Sequence, residues 1–334
     1  MNNKIETPKD FSGSLKKLYF YNKKLIPLIL VAIILSMTST ILAIIGPDKL
    51  KQITNIIVEG LASKIDLGHI KSIALFLLII YIISLVFDYI QGVIMTIVTN
   101  KFSYRMRGEI SSKINRLPLS YFDKTLVGDI LSRVTNDVDT ISMSLNQSIS
   151  TLVSATTMFI GTMFMMFYTN SILAIVAILS TVFGFAIMAF IMKKSQKYFN
   201  AFQNKLGEIN GHIEETFSGQ SIVKVYNAYD ESLNKFDKIN DELFENTVKS
   251  QFYSGLMHPI MNFIGNFGYV CVCIVGAYLT MNNVISFGVI VAFMIYVRLF
   301  TNPLTQFAQS FTSLQSTAAA AEREVSEPPV ESAE

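Results

Sequence analysis

The sequence predicts an all-α membrane protein whose six transmembrane helices carry long cytoplasmic extensions. Of its 334 residues, 51% are hydrophobic and only 16% are charged, a composition typical of membrane proteins and not of soluble domains. A hydrocarbon core about 30 Å thick takes about 20 residues of helix to cross. Six apolar runs approach or exceed that length: Leu25–Ile45, Ile73–Val98, Ile149–Phe167, Ile172–Met192, Ile260–Thr280 and Ile285–Phe300.

The lysines and arginines predict how these six spans are oriented. The segment before the first span carries six of them, residues 101–133 carry seven, and residues 193–249 carry eight. The connections at residues 168–171 and 281–285 carry none, and the loop expected after the first span carries four lysines beside three acids. By the positive-inside rule, we expect both termini and both long polar segments to be cytoplasmic.

Three parts are predicted along the chain. Residues 1–24 are charged, look amphipathic and precede no small-residue cleavage site, so we expect an interfacial elbow helix and not a signal peptide. Residues 25–322 form the six-helix domain. Residues 323–334 are acidic and contain two prolines, which predicts a disordered tail.

The cysteines and histidines give no sign of a metal site. Cys271 and Cys273 lie in the fifth span, where helical neighbours two apart point in different directions. Buried thiols are therefore expected, and not a disulfide or a metal site. The three histidines, His69, His212 and His258, are scattered along the sequence.

The two polar segments of about 50 residues are far longer than a turn requires, and they contain few helix breakers. If each helix continues for about 17 residues beyond the bilayer at 1.5 Å per residue, its end lies about 25 Å into the cytosol. The breakers place short transverse pieces near Asp123–Ile130, the first tip, and Thr216–Tyr226, the second tip. A solvated helical bundle is the alternative, but it leaves four apolar residues at the second tip unexplained: Ile222, Val223, Val225 and Tyr226.

Three motifs follow one another in a fixed order. They run from Leu117 to Asp139, from Phe217 to Asp230, and from Tyr296 to Leu304 with Leu314–Arg323. They resemble the first and second intracellular loops and the end of the sixth helix of ATP-binding-cassette exporters, of the six-helix bacterial multidrug and lipid type. The similarity covers Phe11–Arg323.

This resemblance implies a dimer of six-helix units in the bacterial cytoplasmic membrane, with spans four and five of each half crossing to the partner. The second half can be an identical or a different chain. The expected substrates are hydrophobic or amphipathic compounds, moved outward by alternating access.

The resemblance also implies that both tips are coupling helices, which dock on nucleotide-binding domains. They would lie at about Asp123–Ile130 and Phe217–Tyr226. The residues expected to couple are Asp123, Lys124, Thr125, Gly128, Asp129, Phe217, Ser218, Gln220, Ser221, Lys224 and Tyr226.

The sequence lacks the phosphate-binding motif G-x-x-x-x-G-K-[ST] and any Gly-Lys dipeptide. We therefore expect no catalytic residue and no cofactor in this chain, and no ATP hydrolysis by it alone. ATP and Mg²⁺ would bind to the nucleotide-binding domain of the full transporter. That domain was either removed from this polypeptide or belongs to a separate one.

Polar stripes in the fifth and sixth spans are the candidate substrate pathway, because polar side chains in membrane helices face the bundle interior or water. The predicted residues are Asn262, Asn266, Tyr269, Tyr296, Arg298, Asn302, Gln306 and Gln309. Hydrogen bonding between helices is the alternative role for these stripes. For Arg298 the alternatives are a snorkelling anchor and a contact with an anionic substrate or lipid.

Two other functional classes are alternatives to an exporter. An isolated membrane domain could serve as a structural or binding module without turnover, which the missing phosphate-binding motif favours. An ion-coupled secondary transporter would need paired intramembrane carboxylates or half-helix breaks. Asp88 is the single acid in the six apolar runs, so this class has little support.

Overall fold

The computed structural model describes residues 25–61, 64–124 and 127–325. These residues are almost entirely helical and contain no strand, which confirms the predicted all-α class. The helices are α1 Ile26–Gly60, α2 Leu67–Ile114, α3 Leu119–Lys124, α4 Val127–Ser132, α5 Val138–Thr169, α6 Ser171–Ser218, α7 Gln220–Val225, α8 Tyr229–Gly255, α9 Met257–Met281 and α10 Phe287–Val325. A π-helical turn, Arg133–Asp137, joins α4 to α5. The predicted elbow segment lies outside the described residues.

Among the described residues, six helical stretches are long and apolar enough to cross a membrane, as predicted. Two boundaries differ from the prediction. Helix α1 continues through Pro47 to Gly60, so the expected loop carrying Lys49 and Lys51 is largely helical. Proline removes one backbone hydrogen bond without ending a helix that neighbours support. The sixth span begins at Phe287, not at Ile285.

The chain divides into two compact units, Met1–Ser171 with Gly276–Glu334, and Ile172–Val275. In the described part of the first unit, α1, α2, α5 and α10 pack around a common core. Phe293, Tyr296 and Phe300 of α10 are buried in it, and the Phe300 ring stacks on Phe159 of α5 with centroids 4.9 Å apart. Apolar packing of α10 on α5 is therefore central to this unit.

Small polar residues join the other helices of the first unit. The hydroxyls of Ser39 on α1 and Ser84 on α2 are 2.7 Å apart. The Gln91 amide of α2 donates to Ser150 Oγ of α5 at 2.7 Å. Such bonds between helices stabilise membrane proteins by about 0.6 kcal/mol each on average.

The second unit contains α6, α7, α8 and most of α9. Helices α6 and α9 approach closely at Gly184, where a Cβ atom would lie 2.3 Å from Ile264 Cγ2. The rings of Tyr198 on α6 and Tyr253 on α8 stack at 5.4 Å. A close glycine contact in the membrane and ring packing beyond it therefore hold this unit together.

The polar extensions of the helices differ from the predicted length in one unit. Helix α2 ends at Ile114, about 24 Å past the end of its apolar run, which agrees with the prediction. Helix α6 ends at Ser218, about 39 Å past its apolar run, so the predicted 25 Å was too short for it. Its polar extension contains Gly207 and Gly211, which a continuous helix tolerates at a modest cost.

Candidate coupling tips and transport pathway

The second tip is built around α7, a six-residue helix with sharp ends. It follows Gly219, whose N–H donates to the carbonyl of Glu215 at 2.8 Å. It ends at Val225, two residues before Asn227, which adopts the left-handed conformation with φ of 53°. The Ala228 N–H then bonds to the Val223 carbonyl at 2.9 Å, which closes a Schellman motif. Because asparagine tolerates the left-handed region, the turn is encoded locally.

The surface of the second tip is apolar and open. Ile222, Val225 and Tyr226 are 62%, 80% and 78% exposed, and Phe217 just before α7 is exposed as well. Val223 is half-buried, so its predicted exposure was wrong. The remaining predicted coupling residues are also exposed: Ser218, Gln220, Ser221 and Lys224. Apolar side chains clustered on a short helix outside the apolar runs are typical of a protein contact.

Hydrogen bonds and ion pairs connect α6 to α8 behind this tip. The ring of His212 on α6 is buried, and its Nε2 atom is 3.0 Å from the Ser232 carbonyl oxygen on α8. Further along α6, Lys205 Nζ is 2.5 Å from Glu242 Oε2 on α8 and 2.7 Å from Glu208 Oε2. The tip is therefore tied to both helices that lead to it.

The ion pairs of Lys205 also shift its titration. Lys205 lies about 20 Å beyond the apolar run of α6. Its hydrogen bonds to Glu208 and Glu242 raise its pKa, and the bond from Lys205 lowers the pKa of Glu242. Both pKa shifts favour the charged forms of Lys205 and Glu242. Because they are exposed to solvent, screening keeps their contribution to stability small.

The first tip, predicted as a transverse piece at Asp123–Ile130, is described on either side of residues 125–126. Helix α3 ends at Lys124 and α4 begins at Val127. Asp123 and Gly128 are exposed. Lys124 and Asp129 lie on α3 and α4, and Thr125 lies outside the described residues.

The turn after α4 is fixed to the extension of α2. Arg107 of α2 donates to Asp139 at the start of α5 at 2.5 Å, and its Nε donates to the Val134 carbonyl at 3.3 Å. One helical turn closer to the membrane, the hydroxyls of Ser103 and Ser142 are 2.5 Å apart. Arg107 therefore connects α2 with both the π-helical turn and α5. Sequence reasoning missed this residue, because its partners are 27 and 32 positions away.

Helix α10 carries four of its polar side chains at helical spacing on one face. Arg298, Asn302 and Gln309 are exposed and Gln306 is half-buried; these four residues are called the α10 stripe below. Within the described residues none of these side chains has a hydrogen-bond partner. Tyr296, which was predicted to line the pathway, is fully buried on the side of α10 that packs against the other helices of its unit. Tyr296 was predicted because it begins the third motif, but its side chain faces the core of the unit.

The fifth-span stripe lies in the second unit. Asn262 and Asn266 are exposed and Tyr269 is half-buried. Phe263 and Phe267 stack beside them with centroids 6.0 Å apart. This helix therefore presents amides and an aromatic pair together, which suits contact with amphipathic molecules.

Residues 29–304 match the family described as the ABC transporter transmembrane region. This chain belongs to that family. The match includes most or all of each of the six spans, and it confirms the resemblance inferred from the three motifs. The chain is therefore a multi-pass ABC transporter membrane domain.

Individual relatives agree with this assignment. The fatty acid ABC transporter ATP-binding/permease protein of Mycobacterium bovis is 34% identical over 81% of this chain and 43% of its own length. YfiC of Bacillus subtilis, an uncharacterized ABC transporter ATP-binding protein, is 31% identical over 94% of this chain and 52% of its own. The ATP-dependent lipid A-core flippase of Syntrophus aciditrophicus is 24% identical over 76% and 42%. The chain thus spans about half the length of the curated relatives it matches.

Proposed function

We propose that this ABC transporter membrane domain forms the substrate pathway of an ATP-driven exporter for amphiphilic, lipid-like molecules. Its two tips dock on nucleotide-binding domains, and their movement switches the pathway between inward and outward access. ATP and Mg²⁺ bind to those domains and not to this chain. The protein works as a dimer, of identical or different halves, in the bacterial cytoplasmic membrane with both termini in the cytoplasm.

The observation that carries this proposal is the apolar surface of the second tip. Ile222, Val225 and Tyr226 project from a helix that local turns fix at both ends. A surface of this kind gains free energy when a partner covers it, at about 25 cal/mol per Å² of apolar area. The ties from α6 to α8 behind it give a docked partner a firm connection to two transmembrane helices.

The division into two units supports a dimer with exchanged helices. Residues 172–275 form a compact unit of their own, although spans four and five lie in the middle of the sequence. Many side chains of α6 in its apolar run are exposed, among them Leu179, Val182 and Phe183. In a dimer, helices of the partner and lipid would cover these surfaces.

The substrate class is supported by the pathway and by the relatives. The names of two relatives refer to a fatty acid and to lipid A-core. Both ligands combine an acyl chain with a polar head. The α10 stripe and the aromatic pair of α9 offer polar and apolar contacts suited to such molecules.

The proposal is tested by joining residues 1–325 to the ATP-binding part of the Bacillus subtilis relative and measuring ATP hydrolysis in nanodiscs. We expect hydrolysis that lipid-like amphiphiles stimulate. The double variant Ile222→Asp with Tyr226→Asp should abolish this stimulation, because charges on the docking surface would have to be desolvated.

The matched control is Phe244→Asp on α8, an equally exposed apolar position away from the tip. It should leave stimulation intact. Stimulation that survives in the double variant, or that Phe244→Asp abolishes equally, contradicts the proposed coupling surface. Absence of stimulated hydrolysis in the unaltered protein contradicts the exporter function.

A further inference from the structure

Two charged side chains, Asp88 and Arg298, interrupt the six apolar runs of the sequence. Both are exposed in the structure, and neither has an ion-pair partner within the described residues. A charge at the centre of a bilayer costs about 2.5–3.5 kcal/mol or more unless it is hydrated or paired. Each of them therefore needs water, a partner chain or a ligand in the working protein.

Their surroundings differ. Leu85 and Tyr89 beside Asp88 are 67% and 71% exposed, and its polar neighbours Ser84 and Gln91 already bond to other helices. Arg298 instead begins the α10 stripe, whose amides have no partner among the described residues. Of the two charged residues, Arg298 is thus the one that lies next to other polar side chains without partners.

Snorkelling does not account for Arg298. Long cationic side chains reach the interface when they lie near the end of a span. The stretch that is long and apolar enough to cross a membrane runs from Phe287 to Phe307, past the predicted end at Phe300. Arg298 lies about 16 Å along the helix from Phe287 and about 14 Å from Phe307, near the middle of that stretch.

We propose that Arg298 determines specificity by binding the anionic head group of an acyl-chain amphiphile. The planar guanidinium offers five donors in a geometry that pairs with carboxylate or phosphate oxygens. Asn302, Gln306 and Gln309 form a polar path about 16 Å long between this site and the cytoplasmic side. This inference rests on the proposed function and adds that the substrate is anionic.

The shared chemistry, one anionic head on an acyl chain, could come from a free fatty acid or from an anionic lipid. Both are tested by photolabelling the purified full chain in nanodiscs. The probe is hexadecanoic acid with a diazirine in its chain, and the matched probe is the corresponding hexadecanol. Labelled residues are mapped by mass spectrometry, in discs of phosphatidylcholine alone and in discs that also contain phosphatidylglycerol.

We expect the acid to label α10 and the alcohol to do so about tenfold less, since a charge-assisted hydrogen bond is absent. Arg298→Gln should remove this preference and Arg298→Lys should keep part of it. Competition by phosphatidylglycerol would identify the lipid as the natural source, and its absence would identify the free acid. Size-exclusion profiles of the variants show that folding is retained, and Arg298→Lys tests the charge if Arg298→Gln fails to fold.

The control is Asp88→Asn, which neutralises the other intramembrane charge and should leave the preference unchanged. Equal labelling by acid and alcohol in the unaltered chain overturns the inference. So does an unchanged preference in Arg298→Gln, or an equal loss in Asp88→Asn. ATP hydrolysis by the joined protein is measured separately, so the inference can fail while the exporter function stands.

Discussion

Helices α2 and α10 belong to the same unit and both cross the membrane, yet their exposed faces differ in polarity. Both helices bury mainly apolar side chains together with some hydroxyls, such as Ser84 on α2 and Ser310 on α10. Helix α2 exposes mostly leucines, isoleucines and tyrosines, whereas α10 exposes Arg298, Asn302 and Gln309. Exposed residues of the two helices therefore suit different surroundings. The face of α2 suits lipid or an apolar partner surface, whereas the face of α10 suits water and polar ligands.

The apolar buried face of α10 should account for most of its stability. Phe300 is 5% exposed and stacks on Phe159. Phe300→Ala should lower the free energy of unfolding by about 3–5 kcal/mol, because it leaves a cavity against α5. Thermal unfolding in detergent measures the loss. Asn302→Ala, one half-turn away on the exposed face, is the control and should change the midpoint little.

A charge should be tolerated on one exposed face and not on the other. Leu85→Asp on α2 should destabilise the protein by about 2.5–3.5 kcal/mol, because the carboxylate enters hydrocarbon. Asn302→Asp on the α10 stripe should cost much less. Folded yield in membranes and the unfolding midpoint report both effects. Equal losses from the two substitutions would mean that the faces of α2 and α10 have the same surroundings.

The buried polar residues of α2 should contribute modestly. A double-mutant cycle of Ser39→Ala and Ser84→Ala should give a coupling energy of about 0.6 kcal/mol, the average for such bonds in membranes. Thr96→Ala is the control, since the Thr96 hydroxyl donates to the Gly92 carbonyl of its own helix. A coupling energy of zero would show that Ser39 and Ser84 are together only by packing.

The smallest effect on stability should come from the amides of the α10 stripe. Gln306→Leu should leave the unfolding midpoint almost unchanged, because within the described residues the amide has no partner to lose. Labelling by the acidic amphiphile should nevertheless fall. A large stability loss would show instead that Gln306 bonds to a partner helix, which is the structural role considered for this stripe.

Much of the fold follows from the sequence because hydrophobic runs report the membrane directly. The six spans are determined by the thickness of the bilayer, and the short helix α7 is marked by Gly219 and Asn227 on either side.

The side chains that connect the helices could not be predicted. Arg107 and Asp139 meet because α2 and α5 run side by side, and nothing in either local sequence indicates that register. Tyr296 was misplaced for a related reason. A buried and a pathway position can be only two residues apart on a helix, as Tyr296 and Arg298 are, so the rotation of α10 decides which one is exposed.

The most direct test of this account is the access of water to the exposed face of α10. Single cysteines are placed at Asn302, Gln306 and Gln309, and at Phe300 and Leu85 as references, in a chain whose Cys271 and Cys273 are replaced by alanine. Their reaction with a charged, water-soluble thiol reagent is followed in nanodiscs. We expect the three α10 stripe positions to react many times faster than both references. If they react as slowly as Leu85, the face of α10 is not an aqueous pathway and the account is wrong.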